Sequence, residues 1–130
     1  MNKIMKKDIV AGLGEIGLPI LKLISKKEPA VGYDLDKKLM NEKKFKKLET
    51  LKTRFLHIAI PVTKNFKSNV IELNEKFLPE YIVIHSTITP GTTEQIQKKL
   101  KIPIIFSATR GVHKRMLKDL QRYTKIFCDI

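Results

Sequence analysis

Tryptophan is absent, cysteine occurs once, at Cys128, and only 7% of the residues are aromatic. A lone cysteine excludes an internal disulfide framework, and nothing in the chain has zinc-ligand spacing. It also suits a reducing compartment, so a cytoplasmic location is expected. No apolar run reaches the roughly 20 residues that a membrane-spanning helix needs. The lysine-rich start followed by residues 9–24 imitates a signal peptide, but Glu15 and Lys22 interrupt the apolar stretch. Neither a membrane nor a targeting segment is expected.

Acidic residues are scarce. Thirteen Asp and Glu stand against 26 Lys and Arg, giving a net charge of +13. Arginine is itself rare, at Arg54, Arg110, Arg115 and Arg122 only, so the excess is lysine. A field of this sign attracts anions in general, including nucleotides, sugar nucleotides and nucleic acids. Nucleic-acid sites commonly add arginine forks or aromatic stacking platforms. With both in short supply and the lysines scattered, the charge reads as a cationic surface rather than a nucleic-acid site. The densest group (Lys37, Lys38, Lys43, Lys44, Lys46, Lys47 and Lys52) reads largely as the solvated face of one helix. A hydrophobic content of 42% is ordinary for a globular chain, and residues 1–130 fit one domain. A homo-oligomer is left open.

Glycine is also sparse, yet three of the six glycines stand together in Gly12-Leu13-Gly14-Glu15-Ile16-Gly17. The apolar run Ile9-Val10-Ala11 leads into them. A helical pattern follows through Ile16, Ile20, Leu21, Leu23 and Ile24, and then Ala30-Val31-Gly32-Tyr33 reads as a second strand ending on Asp34. Strand, glycine turn, helix, strand and acid, in that order, form a dinucleotide-binding fingerprint. Gly12 would make the tight turn, and Gly14 would let the backbone approach a pyrophosphate. Gly17 would let the helix pack on the strand. With Leu13, Glu15 and Ile16 these glycines make the expected cofactor loop, whose free N–H groups would face phosphates at the helix start. Asp34 lies about twenty residues beyond Gly14, where a carboxylate accepts from a ribose hydroxyl. The expected cofactor is therefore NAD.

Strand-like and helix-like segments alternate along the whole chain. The strands are read at Asp8–Ala11, Ala30–Tyr33, Phe55–Ile60, Tyr81–His85, Pro103–Phe106 and Lys125–Cys128. The helices are read at Glu15–Ser25, Lys37–Leu48, within Asn65–Phe77, Thr92–Leu100 and Arg115–Gln121. Such alternation predicts an α/β fold with a Rossmann-type, doubly wound parallel sheet. About six strands would take the order 3-2-1-4-5-6, with the ligand crevice at the carboxyl ends of strands 1 and 4.

Other candidates follow from strand ends. Pro61, closing the third strand, would lie beside the cofactor, although a strand-ending proline is also a plain stop signal. The fourth strand delivers His85-Ser86-Thr87-Ile88-Thr89-Pro90-Gly91-Thr92-Thr93-Glu94, a polar wall in which Thr87 is the leading ligand and catalytic candidate. The bland reading is a helix cap at Thr92 or Thr93 and a turn at Gly91. After the fifth strand, Arg110 would bind a substrate phosphate or serve as a surface ion-pair partner. His113 is a candidate general base, though lone histidines more often do nothing chemical. His57 and His85 lie in strand-like runs and read as packed or hydrogen-bonded. Cys128 reads as a small buried residue.

The chain resembles the N-terminal domain of the UDP-glucose/GDP-mannose dehydrogenase family. Three segments carry the resemblance: Val10-Ala11-Gly12-Leu13-Gly14-Glu15-Ile16-Gly17-Leu18-Pro19, Val31-Gly32-Tyr33-Asp34-Leu35-Asp36, and Ser86-Thr87-Ile88-Thr89-Pro90-Gly91-Thr92-Thr93-Glu94. The resemblance implies that Gly12, Gly14 and Gly17 hold the NAD pyrophosphate and that Asp34 takes the adenosine ribose. Thr87 would stand near the nicotinamide and a water. In that family a Ser/Ala-Pro-Glu-Arg segment follows the fifth strand. Ser107-Ala108-Thr109-Arg110 puts Thr109 where its glutamate would stand. The family's catalytic cysteine and lysine lie in a following helical domain in a Gly-Gly-x-Cys context, which Cys128 does not match. The expectation is an NAD-binding protein with a binding, regulatory or partner-dependent role. The alternative is an NAD-dependent oxidoreductase acting on a sugar nucleotide or another small hydroxy substrate, either with reduced machinery or completed by a separate catalytic chain.

Overall fold

The computed structural model describes residues 6–86 and 90–106. Five strands, β1 (Lys6–Ala11), β2 (Ala30–Tyr33), β3 (Lys52–Ile58), β4 (Tyr81–Ile84) and β5 (Ile104–Phe106), form one sheet. All of their pairings are parallel. The connections carry α1 (Gly17–Ser25), α2 (Glu42–Lys47), α3 (Phe66–Phe77) and α4 (Pro90–Lys99). This is an α/β fold with an all-parallel sheet, compatible with a Rossmann-like arrangement. The expected helix Arg115–Gln121 and strand Lys125–Cys128 lie outside the described residues.

Strand alternation sends side chains to two separate cores. One face gathers Ile9, Ala11, Leu56, Ile58, Ile82 and Ile84 under Phe66 and Val70 of α3, together with Ile96 of α4. The other gathers Val10 and Ala30 under Ile20 and Ile24, which stand one turn apart on α1. Helices therefore cover both faces, as parallel strands buried on both sides require.

The strand order is β2-β1-β3-β4-β5, not 3-2-1-4-5-6. The third strand returns to the far side of β1 instead of lying outside β2. A buried acid specifies this pairing. The Asp8 carboxylate accepts from Arg54 Nε at 3.3 Å, Arg54 Nη2 at 3.1 Å and the Phe55 backbone N–H at 3.2 Å. The register between β1 and β3 shifts there, so Arg54 and Phe55 together oppose Asp8 in a β-bulge. Residues 55–58 of β3 are buried throughout, which suits a strand with neighbours on both sides.

The segment expected as one helix, Lys37–Leu48, is broken into a 3-10 turn at Lys37–Leu39 and the short α2. Two polar residues stop and restart it. Asp36 accepts from the Lys38 N–H, and Asn41 accepts from the Lys44 N–H, capping each piece separately. Lys7 Nζ then donates to the carbonyls of Leu48 and Glu49 just past α2, at 3.0 and 3.1 Å. Burial holds the Lys7 ammonium below the usual lysine range.

Candidate functional site

The reversal in strand order falls between β1 and β3, and this pair, not strands 1 and 4, frames the crevice. β1 ends at Ala11 and the chain turns at Gly12, whose φ is +96°. A Cβ at Gly12 would stand 2.6 Å from the Ala59 carbonyl oxygen, and one at Gly17 would run into the Gly12 carbonyl. Both positions demand glycine, for the turn and for the approach of α1. Gly14 differs from both. A Cβ there would meet no atom of the described residues within 4 Å. Among those residues the absence of a side chain at Gly14 serves no packing need, and Gly14 itself is exposed.

α1 opens immediately after this loop. Leu18 N–H donates to the Gly14 carbonyl at 3.1 Å, no side chain caps the helix, and its first turn holds no acid. Glu15 and Ile16 are exposed, whereas Leu13 is buried in the core beneath α1. With Leu18 N–H bonded to Gly14 and Pro19 lacking an N–H, the opening turn of α1 keeps Gly17 N–H as the donor with no side-chain cap, on the side where an anion is favoured.

Asp34 follows β2 and reaches back to the loop. Its Oδ2 accepts from the Leu13 N–H at 2.8 Å, and its Oδ1 accepts from the Asp36 N–H at 2.9 Å. A cleft of about 460 Å³ opens beside it, lined among others by Gly12, Tyr33, Asp34, Pro61, Leu73 and Lys76. Pro61 lines it because Ala59 N–H donates to the Ala11 carbonyl at 2.8 Å, carrying the chain beyond β3 alongside the glycine loop. Three expected residues from three strand ends share this cleft.

Comparison with family models, with curated proteins and with solved structures gave no match to this chain.

The far wall of the cleft was not legible in the sequence. Lys76 of α3 donates to the Tyr33 hydroxyl at 3.2 Å, and its Nζ lies 4.6 Å from the centre of the Tyr33 ring. The ring also packs edge-on against Phe77. The only signal was spacing: Asn69, Glu72, Leu73 and Lys76 recur three or four residues apart on α3 and share one face. The cleft therefore meets the glycine loop at Gly12 and combines the Asp34 carboxylate with an apolar wall of Tyr33, Pro61 and Leu73. A hydroxyl donor and a flat ring suit that lining.

β3 lies between β1 and β4 in the sheet. Ser86, at the end of β4, donates to the Ile60 carbonyl at 2.7 Å. Thr87, Arg110 and His113 lie outside the described residues, as do Thr109 and Cys128. His57 Nδ1 and His85 Nε2 face each other at 2.9 Å, with their rings stacked 18° from parallel. Burial lowers both imidazoles, that of His85 to about 4. The charges of His85 and Arg54 lower His57 further. Both are neutral at pH 7, one ring donating to the other. Among the described residues no group of three or more His, Cys, Asp or Glu is placed to hold a metal ion. No helix among them is long and apolar enough to cross a membrane.

Proposed function

We propose that this protein binds NAD through a Rossmann-type site at the carboxyl ends of β1, β2 and β3. The observation that carries the reading is the shared cleft of Gly12, Asp34 and Pro61, bordered by the glycine loop at which Gly14 leaves open space. Gly12, Gly14 and Gly17, with the start of α1, take the pyrophosphate. Asp34 takes the adenosine ribose, each of its oxygens keeping a further lone pair beyond the bonds to Leu13 and Asp36. Tyr33, Pro61 and Leu73 supply the apolar walls against which a flat base packs. When bound, the cofactor supplies hydride chemistry, and the chain supplies binding and orientation.

The role is that of a binding, regulatory or partner-dependent module, in keeping with the dehydrogenase-like motifs. A sugar nucleotide is the second ligand those motifs suggest. Titration calorimetry of the whole chain with NAD, NADP and UDP-glucose tests the reading. Saturable heat with NAD that vanishes in a folded Gly14→Val protein is the expected result. A folded wild-type chain giving no heat with NAD would remove the proposal.

A further inference from the structure

The second feature lies at the other end of β2, away from the nucleotide cleft. A groove of about 650 Å³ runs between the segment joining α1 to β2 and the exposed side of α2. Lys26 and Lys27 line one side of it, and Lys43, Lys44 and Lys47 line the other. Glu28 is the only carboxylate in its lining. None of the five lysine side chains makes an ion pair or a hydrogen bond among the described residues, where the ion pairs are Lys6–Glu80 and Arg54–Asp8. The lysines that look scattered in sequence are gathered by the fold onto two facing walls.

Five ammonium groups around one shallow groove, with Glu28 the one carboxylate in its lining, repel one another, and a polyanion removes that repulsion while releasing its own counterions. The lining narrows the choice of polyanion. It holds no aromatic ring, so unstacked bases find no platform, which disfavours a single strand. Arginine is absent too, so neither base edges nor peptide carboxylates meet a bidentate fork. None of the strongly exposed apolar side chains (Ile16, Leu18, Leu35, Leu39, Val62, Leu78) belongs to the groove, and a concave surface without them is poorly made for a lipid headgroup layer. A duplex presents outward phosphates on a convex ridge and asks only for point charges. Along the axis of α2, Lys43 and Lys47 stand about 6 Å apart, close to the axial advance of two base-pair steps of about 3.4 Å each.

We infer that the groove between the α1–β2 segment and α2 docks the phosphate backbone of double-stranded nucleic acid without reading its sequence. The contact is independent of the nucleotide cleft, so either site can fail without the other. Five phosphate contacts imply that log K falls against log salt with a slope of about −4.5, a loss of roughly 500-fold between 50 and 200 mM salt.

Fluorescence anisotropy of a labelled, mixed-sequence DNA duplex of about 20 base pairs with the full chain provides the test. The expected result is binding at low salt with that slope, tighter than to the matching single strand, to polyglutamate or to phosphatidylserine vesicles. The triple substitution Lys43→Gln, Lys44→Gln, Lys47→Gln should make the slope shallower by about 3 units. Removing the same charge elsewhere, with Lys98→Gln, Lys99→Gln, Lys101→Gln, should leave the slope unchanged. Circular dichroism confirms that both variants fold. The inference is overturned by absence of duplex binding at low salt, by an equal change from the two triples, or by tighter binding to any of the three comparison probes.

Discussion

The carboxylate of Asp34 is bonded to the backbone N–H of Leu13, at 2.8 Å, so the end of β2 fastens the glycine loop that follows β1. The proposed ribose acid is thereby also part of the loop's scaffold. Its second oxygen, held by Asp36 N–H at 2.9 Å, fixes the rotamer. Little rearrangement is needed before a ribose hydroxyl can donate to the remaining lone pairs.

This double duty predicts a difference between two substitutions. Asp34→Ala removes both acceptors and should lower stability by about 1.5–3 kcal/mol, the range for hydrogen bonds to a charged group. Asp34→Asn keeps one acceptor oxygen and should cost less. The wild type should prefer NAD to NADP, because a carboxylate repels a 2′-phosphate, and both substitutions should relax the preference. Urea unfolding and calorimetry read the two effects separately. Equal or tighter binding of NADP by the wild type would contradict the assignment of Asp34.

Gly14 and Gly17 should respond oppositely to an added side chain. Gly14→Val places its atoms in open space, so unfolding free energy should change by less than about 1 kcal/mol while NAD binding disappears. Gly17→Ala forces α1 away from the Gly12 carbonyl and should destabilise the fold by several kcal/mol, roughly the scale of overpacking or more. Thermal melts of the two variants separate a loop left free for a ligand from one filled by packing.

Arg54→Ala should cost about 3 kcal/mol at neutral pH, because it leaves the Asp8 carboxylate buried without its cation. Burial already raises the Asp8 carboxyl above the ordinary range, against the lowering effect of Arg54. Without Arg54 that carboxyl rises further and takes up a proton more readily in the folded state. The penalty should therefore shrink as pH falls toward 4 and the carboxyl becomes neutral. Denaturant titrations of wild type and variant across this range measure it.

The His57–His85 pair predicts acid lability. Both folded imidazoles titrate below the ordinary histidine value of 6.5, His85 at about 4. Between those values the unfolded chain binds protons that the folded chain refuses. Their stabilising contribution is thus complete above pH 6.5 and is lost as pH falls, by about 1.4 kcal/mol per pH unit for each site. Replacing both with Leu should flatten the stability profile between pH 6.5 and 4.5. An unchanged acid slope in that double variant would show that other groups control it.

Local features were readable because short-range chemistry fixes them. Ala30–Tyr33 occupies the residues expected for the second strand, and α1 ends at the expected Ser25. The strand order was not readable, since it depends on Asp8 finding Arg54 across a stretch of chain that contains β2 and α2. In sequence these are two ordinary charges. The break in the segment 37–48 was visible only as Asn41, a capping residue inside a lysine-rich run that looked continuous. Lys76 and Leu73 became part of the cleft only once α3 packed beside the end of β2.

Among the described residues, the return of the chain from β2 to the far side of β1 leaves β2 at one edge of the sheet, its ladder running to β1. A strand held by one neighbour opens at lower free energy than a central one. Amide protons of β2 should therefore exchange with deuterium faster than those of β1 and β3. The carboxylate proposed to select the cofactor stands at the end of that strand, so occupancy by NAD should slow exchange there first. Ligand binding and local unfolding then compete at the carboxyl end of β2, at Tyr33 and the Asp34 that follows it.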